Sequence, residues 1–263
     1  MRLSRFASAA SAFVLAAALA LTGAGPAHAA GPVYVALGDS YASGVGAGRY
    51  QTSSGGCYRS SRAYPRLWAD RHTPSGFSFT ACSGATTTDV INRQLGPLNA
   101  ATTLVSVTVG GNDAGFVGVM TTCLLSVSSA CLDRIDQARD YIENRLPARL
   151  DAVYDAIADR APAARVVVVG YPHFYRLGTS CIGLTQAKRR AINDAADLLD
   201  TVTAKRAADH GFAFGDVRGT FGGHELCAGS AWLHSLTIPV YESYHPTAAG
   251  QSGGYLPVFT AAA

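Results

Sequence analysis

The sequence predicts an α/β domain built on a parallel β-sheet with helices on both faces. Two observations carry this expectation. Short β-branched, apolar runs alternate along the chain with segments of helical periodicity. Those runs are apolar throughout rather than at every second residue, as strands covered on both faces must be. A third observation, the lack of any internal repeat or shift of composition, assigns the sheet to one domain.

Residues 1–29 stand apart from that domain. Arg2 and Arg5 precede an apolar stretch at 13–21, and Ala27-His28-Ala29 offers the small residues of a cleavage site. This pattern predicts a secretory signal peptide. The stretch is shorter than the ~18 apolar residues of a membrane-spanning helix, which argues against an anchor. The single domain is then 30–263. Without Arg2 and Arg5, the 21 Lys and Arg fall to 19 against 18 Asp and Glu, a net charge of +1. So even a balance favours neither nucleic acid nor an acidic partner. The basic run Lys188-Arg189-Arg190 is read as a solvated helix face.

In chain order, 33–37 is the first strand. Residues 63–71 form a helix with Pro65 in its first turn, and 77–81 a short strand. Thr88 caps a helix reaching Gln94. Residues 104–109 are a strand. A long helical region follows at 132–159, where Leu146, Leu150, Val153, Tyr154 and Ile157 share a face and Pro147 breaks or kinks the helix. Residues 165–170, "RVVVVG", are a strand. Thr185 opens a helix that ends at His210-Gly211, and 212–214 is the last strand. The stretches 49–62, 119–131 and 218–240 read as long loops.

Those loops hold most of the six cysteines, all of which lie beyond the signal. An even number in an exported chain implies disulfides. Six cysteines allow fifteen pairings. The sequential set, Cys57–Cys82, Cys123–Cys131 and Cys181–Cys227, closes the smallest total loop length and is the one expected. No C-x-x-C pair and no H-E-x-x-H helix occurs, so no metal or other cofactor is expected.

In an open parallel sheet, ligands meet the loops at the carboxyl ends of the strands. Ser40 follows the first strand, Gly84 the second, and Gly110-Gly111-Asn112-Asp113 the third. Tyr171-Pro172-His173 follows the fourth. Each group alone has a bland reading as a turn or a structural residue. Their order is more telling. The blocks "ALGDSYASG", "CSGATTTDV", "VTVGGNDAGF" and "ESYHPTAAGQ" resemble the four blocks of the SGNH, or GDSL, hydrolase family. They span nearly the whole domain. With the export signal and cysteines, the chain is most similar to secreted actinomycete lipases, esterases and phospholipases A.

The resemblance implies a three-layer α/β/α sandwich with a flavodoxin-like parallel sheet and disulfide-stapled loops. It makes Ser40 the nucleophile and His245 the base, with Ser40, Gly84 and Asn112 around the oxyanion. The family's third member is an Asp three residues before the histidine, but this chain has Glu242 there. Glu242 is therefore one candidate to orient His245, and the backbone carbonyl of Ser243 the other. The chemistry stands independently. A serine hydroxyl needs a neighbouring base, histidine can serve near neutral pH, and the anion formed from an ester carbonyl needs fixed donors. The G-x-S-x-G elbow of α/β-hydrolases is absent around Ser40.

The reading is a secreted, monomeric, cofactor-free serine hydrolase of fatty acyl esters, with a lipid or other ester substrate and no stable membrane insertion. A carbohydrate acetylesterase on the same fold and a non-catalytic secreted binding module are the alternatives. Asp39 is expected to order its turn, and Asp113 to brace the Asn112 loop. His173, His224 and His234 are expected to be structural or to line a pocket. The apolar stretch 231–241 is either a packed loop or a lip for an acyl chain.

Overall fold

The computed structural model describes residues 31–263; the signal read at 1–29 lies outside them. Five parallel strands form one sheet in the order β2-β1-β3-β4-β5. They are β1 (Val33–Gly38), β2 (Gly76–Phe79), β3 (Leu104–Thr108), β4 (Arg165–Val169) and β5 (Ala213–Gly215). Every residue of β3 is buried, which accounts for its unbroken apolar character apart from Ser106 and Thr108. Ser106 is satisfied internally by the Tyr34 hydroxyl at 2.7 Å.

One face carries α2 (Tyr64–His72) and α8 (Leu256–Ala262). An aromatic cluster fills the layer between them and the sheet. Tyr34 packs edge-on to Trp68 at 5.2 Å and stacks with Phe259 at 5.4 Å, and Tyr64 stacks with Tyr255 at 5.4 Å. Such pairs add ~0.5–1.5 kcal/mol each beyond their burial. The helices α3 (Thr87–Arg93), α5 (Ser128–Asn144), α6 (Leu146–Arg160) and α7 (Gln186–Asp209) pack together in another layer. The strand order reverses between β1 and β3, the switch point where flavodoxin-like sheets bind ligands.

Several elements differ from expectation. The chain leaves the sheet after Phe79, because the Thr80 and Ala81 N–H groups both turn to the Ala36 carbonyl. Thr86 rather than Thr88 caps α3, in a reciprocal capping box with Asp89. Residues 119–131 are not a loop but the end of α4 (Phe116–Leu125) and the start of α5. The break expected at Pro147 is present: the helical region divides at Arg145 into α5 and α6, and Pro147 sits in the first turn of α6, where a missing N–H costs nothing. Lys188 and Arg189 are buried, not solvated. Lys188 Nζ donates to the Cys123 and Ser126 carbonyls at 2.8 and 2.7 Å, satisfying acceptors that the end of α4 leaves open. Arg189 does the same for the Arg176 and Thr179 carbonyls.

Disulfides join Cys57 to Cys82, Cys123 to Cys131 and Cys181 to Cys227. Among the described residues no helix is long and apolar enough to cross a membrane.

Candidate active site

The site begins with how β1 ends. Gly38 adopts φ +126°, and a Cβ there would strike the Thr108 carbonyl of β3. Gln94 clamps this residue, accepting from its N–H at 2.7 Å and donating to its carbonyl at 2.8 Å. Asp39 then caps the four-residue helix α1 (Ser40–Ser43) by accepting from the Tyr41 N–H at 2.9 Å. Ser40 is thus held at the first helical position, where its own N–H has no intrahelical acceptor.

Asp39 is buried, and its second oxygen accepts from the Tyr171 hydroxyl at 2.6 Å. Burial pushes its carboxyl up to about 7 despite these two hydrogen bonds. It orders the turn and does not reach His245, in keeping with a structural role.

Ser40 Oγ lies 2.7 Å from His245 Nε2, and His245 Nδ1 lies 3.0 Å from the Ser243 carbonyl. A carbonyl can only accept, so Nδ1 carries the ring proton and Nε2 is left to accept from Ser40. Of the two candidates to orient His245, the Ser243 carbonyl is the one in contact with the ring. The Glu242 carboxylate accepts from the Tyr50 hydroxyl at 2.5 Å, while the Ser243 carbonyl occupies the ring nitrogen that a third member would hold. Glu242 ends a turn of 3-10 helix, Val240–Glu242, and its side chain is engaged by Tyr50, 192 residues away in the chain. Tyr50 in turn accepts from the Gly46 N–H at 2.9 Å, and His234 Nε2 bonds the Gly46 carbonyl at 2.8 Å. Glu242 therefore fastens the histidine loop to the segment after α1. Tyr41 adds a second tie, donating to the Tyr244 carbonyl at 2.7 Å.

Burial pulls His245 down to about 4 from 6.5, with the Ser243 hydrogen bond working in the opposite direction. The ring is therefore neutral over the whole physiological range.

The loops after β2 and β3 are tied to each other. Asn112 Nδ2 donates to the Ala85 carbonyl at 3.0 Å. Asp113 accepts from the Thr87 N–H at 3.0 Å and its hydroxyl at 2.6 Å, which is the bracing expected of it. An amide nitrogen carries two N–H groups, so one positions Asn112 and the other is left for a ligand. Gly84 adopts φ +77°, with open space where a Cβ would stand. His173 pairs with Asp197 at 2.8 Å, and His224 stacks on Trp232 at 3.6 Å. Among the described residues no group of histidine, cysteine or carboxylate side chains is placed to hold a metal ion.

A cleft of about 640 Å³, its open mouth included, runs from Ser40 and Asn112 into the helical layer. Phe116, Val119 and Met120 of α4 form one wall, Ile142 of α5 another, and Ile192 and Leu199 of α7 a third. Sequence reasoning missed this slot because it treated part of α4 as loop. The stretch 231–241 does not line it; Leu236, Ile238 and Val240 face solvent, and Leu233 is packed.

The model of the GDSL-like lipase/acylhydrolase family matches residues 36–252. The chain belongs to this family. It is 64% identical to a lipase of Streptomyces rimosus over 267 residues, covering all of both chains. The crystal structure of the extracellular lipase from S. rimosus superposes with a TM-score of 0.87 at 65% identity, covering 88% of this chain and all of that one. A phospholipase A1 structure from Streptomyces albidoflavus gives 0.87 at 58% identity, over 89% of this chain and all of that one. As a member of the GDSL-like family at this identity, the protein is a carboxylic ester hydrolase with the three-layer fold.

Proposed function

We propose that the protein is a secreted lipase or phospholipase that cleaves fatty acyl esters through an acyl-enzyme on Ser40. The observation that carries this reading is the apolar cleft, which opens beside the Ser40–His245 pair. In the first half-reaction His245 Nε2 takes the Ser40 proton as Oγ attacks the ester carbonyl. The Ser40 and Gly84 N–H groups and the second Asn112 N–H surround the resulting oxyanion. His245 then returns the proton to the leaving alcohol. In the second half-reaction water attacks the acyl-enzyme with His245 again as base, and Ser40 is released. The Ser243 carbonyl holds the imidazole and stabilises its charged form by a single hydrogen bond. The fatty chain lies between α4, α5 and α7. Secretion is supported by the signal pattern at 1–29, the three disulfides and the extracellular relative.

The experiment is hydrolysis of p-nitrophenyl acetate, octanoate and palmitate. The reading expects kcat/KM to rise from acetate to the longer esters, and Ala196→Phe, at a position of α7 that also lines the cleft, to move the preference back toward short chains. An enzyme that cleaves only acetate would favour the acetylesterase alternative and overturn this one.

A further inference from the structure

A second cleft lies beside Gly84, separate from the apolar slot. Its walls are the segment around Cys57 and Arg59 on one side, and Thr80 to Ala85 with Asp89 and Arg93 of α3 on the other. The Cys57–Cys82 disulfide joins the walls directly, and the Ser83 N–H donates to the Cys57 carbonyl at 3.1 Å. The cleft is therefore fixed in shape before any ligand arrives.

Its charge is unbalanced. Arg59 is partly buried, and its guanidinium reaches only the Ala81 carbonyl, at 3.4 Å. Among the described residues it has no carboxylate partner. Arg93 is largely exposed and pairs loosely with Asp89 at 3.8 Å. Asp89 is already engaged, accepting from the Thr86 N–H at 3.0 Å and hydroxyl at 2.7 Å. Gln94, which also lines the cleft, is occupied with Gly38. One carboxylate thus faces two guanidiniums, which leaves the cleft with a net positive charge.

The position adds meaning to the charge. An ester places its acyl chain and its alcohol on different sides of the carbonyl carbon. The apolar slot accepts the first. The charged cleft is lined by Gly84, which the proposed mechanism sets at the oxyanion, and it shares no lining residue with the slot. We infer that this cleft binds the phosphodiester of a glycerophospholipid whose acyl ester is being cleaved, with Arg59 as the main contact and Arg93 at its rim. A phosphodiester is the anion that lies a few bonds from a fatty ester in a lipid, and guanidinium is suited to its oxygens. The inference rests on the acyl-ester reading above and extends it to a specificity between lipids.

The test compares phosphatidylglycerol with a diacylglycerol of the same chains, both dispersed in the same nonionic micelles. The readout is the ratio of kcat/KM values, phospholipid over neutral lipid, which is insensitive to loss of folded enzyme. Arg59→Gln should lower this ratio about tenfold or more, chiefly through the KM for phospholipid, and Arg93→Gln by a smaller factor. Arg59→Lys should recover part of the loss. Because Arg93 is exposed, its variant remains informative if Arg59→Gln fails to fold. An unchanged ratio in both variants would overturn the inference, as would a wild-type enzyme that cleaves diacylglycerol but not phospholipid. Inorganic phosphate slowing diacylglycerol turnover, with the ratio unchanged in Arg59→Gln, would reveal a free-anion site and also overturn it. An enzyme that cleaves neither lipid would instead refute the acyl-ester reading itself.

Discussion

Replacing Glu242 by Gln separates two ways of orienting His245. If Glu242 held the ring, its loss of charge would resemble a triad aspartate becoming an amide, with kcat down about 10⁴-fold. In this structure Nδ1 instead meets the Ser243 carbonyl at 3.0 Å, and the Glu242 carboxylate meets Tyr50 at 2.5 Å. Gln keeps an acceptor for the Tyr50 hydroxyl and loses only the charge-assisted part of that bond, about 1 kcal/mol. A barrier change of 1.4 kcal/mol is tenfold in rate, so kcat should fall by less than about tenfold. Tyr50→Phe removes the other half of the same contact and should behave alike. The assay is steady-state hydrolysis of p-nitrophenyl octanoate at pH 8, with circular dichroism to check folding. A folded Glu242→Gln enzyme slowed 10³-fold or more would refute the reasoning.

Three further outcomes are expected. Asn112→Ala should lower kcat by roughly 100-fold with little change in KM, since an oxyanion donor acts mainly in the transition state; an unchanged kcat in stopped-time assays would remove Asn112 from the site. With His245 as the base, the free enzyme would need its ring neutral, and burial pulls that ring down to about 4, so kcat/KM should stay level from neutral pH to about 5 and decline only below it. A half-maximal point near 6.5 would contradict this. The same depressed value means that the unfolded chain takes up the proton first, so the His245 contribution to stability is lost as pH falls from 6.5 toward 4; Tm measured across that window should drop with acidity.

The central strands were legible because burial on both faces writes continuous apolar runs, as in "VYVAL" of β1 and "VVVV" of β4. The residues at the strand ends were legible because a parallel sheet collects its loops at one edge. α4 was not legible. "FVGVMTTCLL" is apolar almost all round, since it lines the cleft with Val119 and Met120 while exposing Val117 and Leu125, and so it lacks the one-sided period of a surface helix. Lys188 and Arg189 misled for the opposite reason. Their charges end on backbone carbonyls, for Lys188 more than 60 residues away and for Arg189 in the loop before its own helix, and composition does not reveal such partners. For Glu242 the spacing to His245 was visible, but the choice between its carboxylate and the Ser243 carbonyl depended on the direction of a side chain. That direction is set by Tyr50, at a separation of 192 residues.

The central claim is that Ser40 forms the acyl-enzyme. A fluorophosphonate reacts covalently with a serine only when a neighbouring base activates it. Labelling the purified enzyme to completion, followed by peptide mass spectrometry, should give one modified residue per chain, Ser40, with activity lost in proportion. The Ser40→Ala protein should take up no label. Modification of any other serine, or inactivation without modification of Ser40, would contradict the account.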